Sequence, residues 1–516
     1  MLFISLTYQA DETEQVFLPT GSGTTSSGRH AEQSLTNGFR LESLLLQFIV
    51  DLSVTVPLVP LNAANFFAGR RFIALCSGAM AFYVYGWITK WSFDPSVASN
   101  LRTDFFFTAQ ADALLRGRLW VDPNSFAESI SGECFYIADK CYSYFGLTPS
   151  ILRIPILLAI GQTTQSFAFL MIPIASGLAF GASLDLCRQF AKPIAHQLRG
   201  VVFLCVAALA LGPGSVLVLL ADPFLYQEAI VWSIAGVMLA VNCYWRWLHS
   251  DNNRYLASSI FFCIFAAGAR PTTVLVGVVL GASLLIAHRN YLSLRSNVAV
   301  AALGFIVLPA LFSFGTLFAK FGQPSPPPRA WNNPTSNPEG GTFLCGQLFE
   351  THPKFMPTNL FAYFRPDAVR LYREWPNVRF RFNTCDGPNH PTHLWPLKVG
   401  DMHVEKNTSL PNTMPIPLLA AGITSWVAIR QRRTTELALL IAVATSGLLA
   451  SSAVGMASRY LGDFYPLLAV GMAFSATMLG SAKRKSTLVA LTCVVLVLIP
   501  WSLLANASLL TLHRWL

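Results

Sequence analysis

The chain has 516 residues, of which 53% are hydrophobic and only 12% charged. Soluble domains carry roughly 25% charged residues, so an ordinary soluble protein is excluded. The net charge of +10 is spread in small basic groups between apolar runs. That arrangement orients a chain in a bilayer and argues against a nucleic-acid partner.

Residues 1–40 read as a disordered tail rich in Gly, Ser and Thr. Its apolar start, Met1–Tyr8, is short, lacks a basic flank and is followed by Asp11, Glu12 and Glu14, so it is not a cleavable signal. Leu44–Leu61 is apolar but holds Asp51, Pro57 and Pro60, which predicts an interfacial or re-entrant helix rather than a span. Runs able to cross ~30 Å of hydrocarbon follow at 72–90, 164–186, 200–221, 225–245, 254–269, 271–287, 298–319, 413–429, 435–456, 462–480 and 487–507. The expected fold class is therefore an all-α polytopic membrane protein of about eleven transmembrane helices. An N-terminal transmembrane module, 41–319, contains a first long loop, 91–163. A second long loop, 320–412, precedes the C-terminal transmembrane helices of 413–516.

Sidedness follows from the basic residues. If the first span leaves the cytoplasm after Arg70 and Arg71, alternation makes five later connections cytoplasmic. They hold Arg188, Lys192 and Arg199; Arg246 and Arg254; Arg289 and Arg295; Arg430, Arg432 and Arg433; and Lys483, Arg484 and Lys485. All are basic, as the positive-inside rule requires, and one misplaced span would have inverted the series. Both long loops are then extracytoplasmic, and loops of that length are usually functional. Six cysteines lie in apolar runs (Cys76, Cys187, Cys205, Cys243, Cys263, Cys493) and read as small core residues. Cys134, Cys141, Cys345 and Cys385 lie in the two loops, where an oxidising compartment permits disulfides whose pairing sequence alone leaves open. Asn407 and Asn506 begin glycosylation sequons, which matter only in a eukaryotic secretory context.

In the first loop, Thr103 or Asp104 can cap a helix whose apolar face is Phe105, Ala109, Ala113 and Leu115, and Gly117 ends it. This predicts an amphipathic helix at the outer interface, with Asp104 either a plain cap or a functional acid. Further on, Asp139, Lys140, Tyr142, Tyr144, Gly146, Pro149 and Arg153 lead back into the membrane, either as functional groups or as an aromatic belt with snorkelling cations. In the second loop, Tyr363, Arg365, Asp367, Arg370, Arg373 and Glu374 read as part of a surface helix. His352, His390, His393 and His403 lack metal-ligand spacing and read as solvated.

The order of these features resembles a family. The stretches ALLRGRLWVDP (residues 113–123) and DKCYSYFGLTPSILRIP (139–155) follow the first span, and Tyr226-Gln-Glu228 opens a later one. Ala269-Arg270-Pro271 lies between two spans, and Ser458-Arg459-Tyr460-Leu-Gly-Asp463 opens another. Together they resemble the multispanning GT-C glycosyltransferases, in particular bacterial polyprenyl-phosphate-dependent mannosyl- and aminoarabinosyl-transferases. The motifs cover about a sixth of the chain, and each is individually weak.

The resemblance implies a GT-C-like fold in the plasma or inner membrane, with its active face extracytoplasmic and its long loops carrying interfacial helices. It implies an inverting transferase that moves a sugar from a polyprenyl-phosphate donor to an envelope lipid, glycan or protein. Asp104 would be the catalytic base. Where the family often has a second acid next to this one, Phe105 stands here. No cofactor is required, and a divalent metal is compatible but not indicated, because cations can stabilise the leaving phosphate.

Lys140, Arg270 and Arg459 would bind that phosphate, supported by Tyr142, Tyr144, Glu228, Tyr460 and Asp463. Each has a plainer reading. Arg459 and Asp463 can pair on one helix face, Arg270 can anchor at the interface, and Glu228 can cap its span. A secondary transporter or lipid flippase is the alternative from another class, although transporters place polar groups nearer the bilayer midplane than these sit. A non-catalytic membrane assembly factor is the third.

Overall fold

The computed structural model describes residues 69–91, 105–122, 135–138, 140–161, 167–194, 197–221, 225–250, 252–287, 296–324, 352–366, 369–371, 378–380, 403–404, 408–452, 455–456, 458–481 and 485–515. The expected N-terminal tail, the Leu44–Leu61 segment and Asp104 lie outside these residues, as do Asp139, His390 and His393.

The described chain is mostly helical. Its main helices are α1 (Arg70–Ile88), α2 (Phe106–Leu115), α3 (Thr148–Ile151), α4 (Ile154–Ile160), α5 (Ala168–Ala191), α6 (Leu198–Leu211), α7 (Leu225–Ser250) and α8 (Asn253–Ala269). They continue with α9 (Val274–Ala287), α10 (Ser296–Phe321), α11 (Met356–Phe364), α12 (Pro415–Arg430), α13 (Thr434–Ala450), α14 (Tyr465–Ser481) and α15 (Lys485–Trp515). Each apolar run recognised in the sequence contains one of these helices. Six helical stretches are long and apolar enough to cross a membrane: Arg70–Ile88, Ala168–Ile194, Tyr226–Ser250, Val298–Phe321, Arg459–Leu479 and Val494–Thr511. That is the make-up of an integral membrane protein.

The bundle has an inside and an outside. The spans of α5, α7 and α14 are 78%, 83% and 78% buried, whereas those of α1, α10 and α15 are 28%, 33% and 33% buried. Leu75, Leu311, Phe318 and Val497 stand exposed on the outer helices, a surface suited to hydrocarbon rather than water. α5 packs between α1, α7 and α14, and α7 lies against α8, which in turn packs on α10. Small residues permit the closest approaches. A Cβ at Gly181 of α5 would fall 2.2 Å from Ser77 Oγ of α1, and one at Gly177 would fall 2.9 Å from the Ser77 carbonyl oxygen. This is a small-xxx-small contact.

Three expectations for the loops need correction. Helix α2 starts at Phe106 with Phe105 at its N-cap, one residue later than expected, and the candidate caps Thr103 and Asp104 lie outside the described residues. It is also buried on most sides (Phe106, Phe107, Thr108, Ala109, Gln110, Ala111 and Ala113) rather than lying with one free face. Its expected end at Gly117 holds: φ is +70°, and the Gly117 and Arg118 amides donate to the carbonyls of Leu114 and Ala113 in a Schellman turn.

In the second loop, the helix is α11, upstream of the segment expected to be helical. It stops before Arg365, whose backbone is extended ahead of Pro366. Arg370 lies instead on strand β3 (Val369–Leu371), antiparallel to β4 (Val378–Phe380). Arg153, read as a snorkelling cation, is fully buried.

The first loop also forms a hairpin, β1 (Phe135–Ile137) with β2 (Lys140–Tyr142), and Cys141 of β2 bridges to Val121. Asn506 is buried, and its amide donates to the Thr413 and Ser502 carbonyls, so this sequon is not open to a glycan.

Candidate functional site

The first turn of α7 organises one end of the bundle. Glu228, in that turn, accepts two hydrogen bonds from Arg153 at 2.5 and 2.7 Å, and both side chains are buried. The fork-shaped guanidinium meets the carboxylate in bidentate geometry, the arrangement able to offset burial of two charges. Arg153 Nη1 also donates to the Pro149 carbonyl at 2.9 Å, and its guanidinium lies 5.5 Å from the Phe107 ring. Beside this pair, Ser150 Oγ donates to Gln110 Oε1 at 2.7 Å and ties α3 to α2.

Two residues before Glu228, Tyr226 lies under Arg459, with the guanidinium carbon 4.2 Å from the ring centroid. The same Arg459 lies 5.4 Å from the Tyr460 ring, and Arg270 lies 5.3 Å from it on its own account. Two guanidinium carbons this close to one ring are no more than about 11 Å apart. Arg270 reaches this point because α8 ends at Ala269, and Pro271 opens the 3₁₀ turn that follows. Arg459 and Tyr460 lie on the 3₁₀ stretch Ser458–Phe464, which leads into α14.

Asp463 on that stretch pairs with Arg270, its Oδ2 lying 3.0 Å from Arg270 Nη2, with 9% of the arginine and 1% of the aspartate side chain accessible. The contact is an ion pair by distance but poorly directed. Neither Asp463 carboxylate oxygen has a hydrogen bond, and Arg270 Nη1, also buried, has none among the described residues.

Aromatic rings join these groups to the first loop. Tyr144 lies 6.1 Å and Phe145 5.2 Å from the Tyr226 ring. Lys320, buried at the end of α10, holds the loop in place by donating to the Ser143 and Phe145 carbonyls at 3.0 and 2.7 Å. A Cβ at Gly146 would fall 1.9 Å from the Gly268 carbonyl oxygen, so this loop and the end of α8 touch backbone to backbone. Leu147, next in sequence, lines an apolar cavity of about 500 Å³ together with Ile264, Leu308, Leu311 and Phe312. From the second loop, α11 places Tyr363 and Phe364 against Phe464, beside Asp463.

Of the residues singled out in the sequence, the structure thus gathers Arg270, Arg459, Tyr460 and Asp463, with Tyr144 and Glu228 on neighbouring shells. Lys140 faces Trp120 at 5.0 Å on the hairpin instead. Tyr142 packs against Phe321 at 5.8 Å, and burial pushes its hydroxyl above the ordinary phenol range, so it remains protonated at neutral pH. His352 is exposed and accepts from the Lys354 amide. Among the described residues, no cluster of three or more His, Cys, Asp and Glu is arranged to hold a metal ion.

Cys141 is disulfide-bonded, and the cysteines at 76, 187, 205, 243 and 263 are free. Sequence reading singled out none of Arg153, Tyr226 and Lys320 as a site residue. The available signal was one ionisable or aromatic group at each span end, which becomes informative only once a partner is known.

A second polar cluster stands at the other end of α7. Asp185 of α5 pairs with Arg188 at 2.8 Å and with Arg246, and accepts from Asn242 and Gln189, both at 2.9 Å. Glu228 and Arg246 lie about 27 Å apart along the helix axis at 1.5 Å per residue.

No protein-family model matches the chain, and no curated protein matches it.

Proposed function

We propose that the protein is an integral membrane glycosyltransferase of the GT-C kind, with about eleven spans, transferring a sugar from a polyprenyl-phosphate donor to a lipid, polysaccharide or protein acceptor outside the cytoplasm. The observation that carries this reading is the pair of guanidiniums, Arg270 and Arg459, that both approach the Tyr460 ring at one end of the bundle. A lipid phosphate sits at the membrane edge and needs cations there, since burying it unpaired is costly. The open apolar groove lined by Leu147, Ile264 and Phe312 offers hydrocarbon-compatible surface beside α8, the helix that Arg270 follows.

The assignment of sides rests on charge. At the opposite end of α7, Arg246 stands with Arg188 of α5 around Asp185, the kind of basic grouping a cytoplasmic face carries. The disulfide at Cys141 fits an oxidising compartment on the arginine-pair side. Asp104 is assigned as the base that takes the acceptor's proton, two residues before α2, while the arginines stabilise the departing phosphate.

The reading is tested by reconstituting the full chain in liposomes with labelled polyprenyl-phosphate sugars and an envelope extract. Label should pass to an acceptor, and transfer should vanish in Asp104→Asn while the fold is retained. Full activity in that variant removes Asp104 as the base. Solute uptake by sealed vesicles with no transfer overturns the reading in favour of a transporter or flippase.

A further inference from the structure

The segment that carries Arg459, Tyr460 and Asp463 is gripped by the second long loop. Helix α13 ends at Ala450, and its last turn closes locally. Ser451 donates through its amide to the Gly447 carbonyl and through its hydroxyl to that of Leu448, and Ser452 donates to Leu449. The carbonyls of Ser451 and Ser452 are taken up from outside. Asn359 Nδ2 of α11 donates to Ser451 at 2.7 Å, and the His352 amide donates to Ser452 at 2.9 Å.

The grip continues downstream. A two-residue strand of the same loop, β5 (His403–Val404), pairs in parallel with β6 (Gly455–Met456). Tyr363 and Phe364 of α11 close on Phe464 with ring centroids 6.2 and 5.4 Å away. From the bundle, Ser446 of α13 donates to the Asp463 carbonyl at 2.8 Å. Asn359 itself is fully buried. A buried amide is costly unless it is hydrogen-bonded, so this bond ties α11 to the end of α13 in one register.

We infer that Asn359 is a positioning residue for the donor phosphate. Through the Ser451 carbonyl it fixes where the chain leaves α13, and so where Arg459 comes to lie over Tyr226 and Tyr460. The inference rests on the proposed role of the two arginines and deepens it, since it makes the second loop part of the phosphate site. Asn359 acts through the backbone, and small errors are enough. A displacement of about 1 Å in a group that holds the substrate can cost about a hundredfold in rate.

The test uses the full chain in detergent with geranylgeranyl phosphate as the probe, and calorimetry gives the Kd. Asn359→Leu keeps the side-chain size and removes the donor. It should weaken probe binding about five- to tenfold, the worth of one buried hydrogen bond. A double variant decides the route. If Asn359 works by placing Arg459, N359L/R459K should bind within about twofold of Arg459→Lys alone. Effects that multiply would assign Asn359 to general packing and overturn the inference, as would wild-type affinity in folded Asn359→Leu.

A measurement on the wild type keeps the inference open to refutation if the variant does not fold. Saturating probe should slow amide exchange over 455–464 and also over 356–364, because coupling between two sites is reciprocal. Protection that fails to reach 356–364 overturns the inference. Failure of the wild type to bind the probe overturns the transferase reading itself, and the inference with it.

Discussion

Asp463 pairs with Arg270, which arrives from the end of α8, and not with Arg459, its near neighbour on the same segment. Arg459 stacks on Tyr226, and the two arginines take different roles around Tyr460. The first prediction follows from that division. Arg459→Lys keeps the charge but loses the planar face that lies on Tyr226, and should weaken donor binding about tenfold. Arg270→Ala should weaken it further. Neither change should move the acceptor's apparent affinity, which titration of each substrate separately will check.

The Arg153–Glu228 pair is a stability element. Glu228→Gln leaves a buried guanidinium without its counter-charge and should cost about 3–5 kcal/mol. The double replacement R153M/E228L removes both charges and should recover most of that loss. Equilibrium unfolding in detergent of both singles and the double measures the coupling. Equal stability of all four proteins would show that the pair contributes nothing.

At Gly146 any side chain collides with backbone, because the obstacle is the Gly268 carbonyl oxygen 1.9 Å away. Gly146→Ala should push the first loop off α8 and lower donor affinity. Gly422 on α12 has open space around it and serves as the control. Gly422→Ala should stabilise the helix by about 0.5–1 kcal/mol without affecting binding.

Lys320→Met removes the donor that holds the Ser143 and Phe145 carbonyls. Amide exchange across residues 143–147 should accelerate while the rest of the bundle keeps its protection, as mass spectrometry of peptic peptides will show.

Reduction should act through Cys141. Treatment with a phosphine reductant should lower stability by about 2–4 kcal/mol. Peptide mapping under non-reducing conditions should recover the Cys141 peptide cross-linked to a second peptide.

The helices were legible because crossing hydrocarbon demands an unbroken apolar run; each such run overlaps a helix, and six of the helices are long and apolar enough to span. The partnerships at their ends were not. Arg459 with Asp463 is the pair a local reading suggests, since only neighbours in sequence are visible to it. The pairs that form, Arg270 with Asp463, Arg153 with Glu228 and Asp185 with Arg246, join residues of different helices. Of the surface helix expected over Tyr363 to Glu374, Tyr363 is helical and Arg370 is not, since Pro366 halts α11 and Arg370 lies on a strand. The hydrophobic pattern of α2 suggested a helix with one wet face, because nothing in it announces that α3 and α4 cover the rest.

Helix α7 is fastened at both extremities, by Arg153 above and by Asp185 below. A strut bolted this way cannot tilt against α5 or α3 without breaking an ion pair at one end or the other. Rocking motions that expose a central chamber first to one side and then to the other would break such a bolt twice per cycle. The proposed transfer, confined to a single rim, asks for no such excursion, and the rigidity that would hinder a pump would serve it.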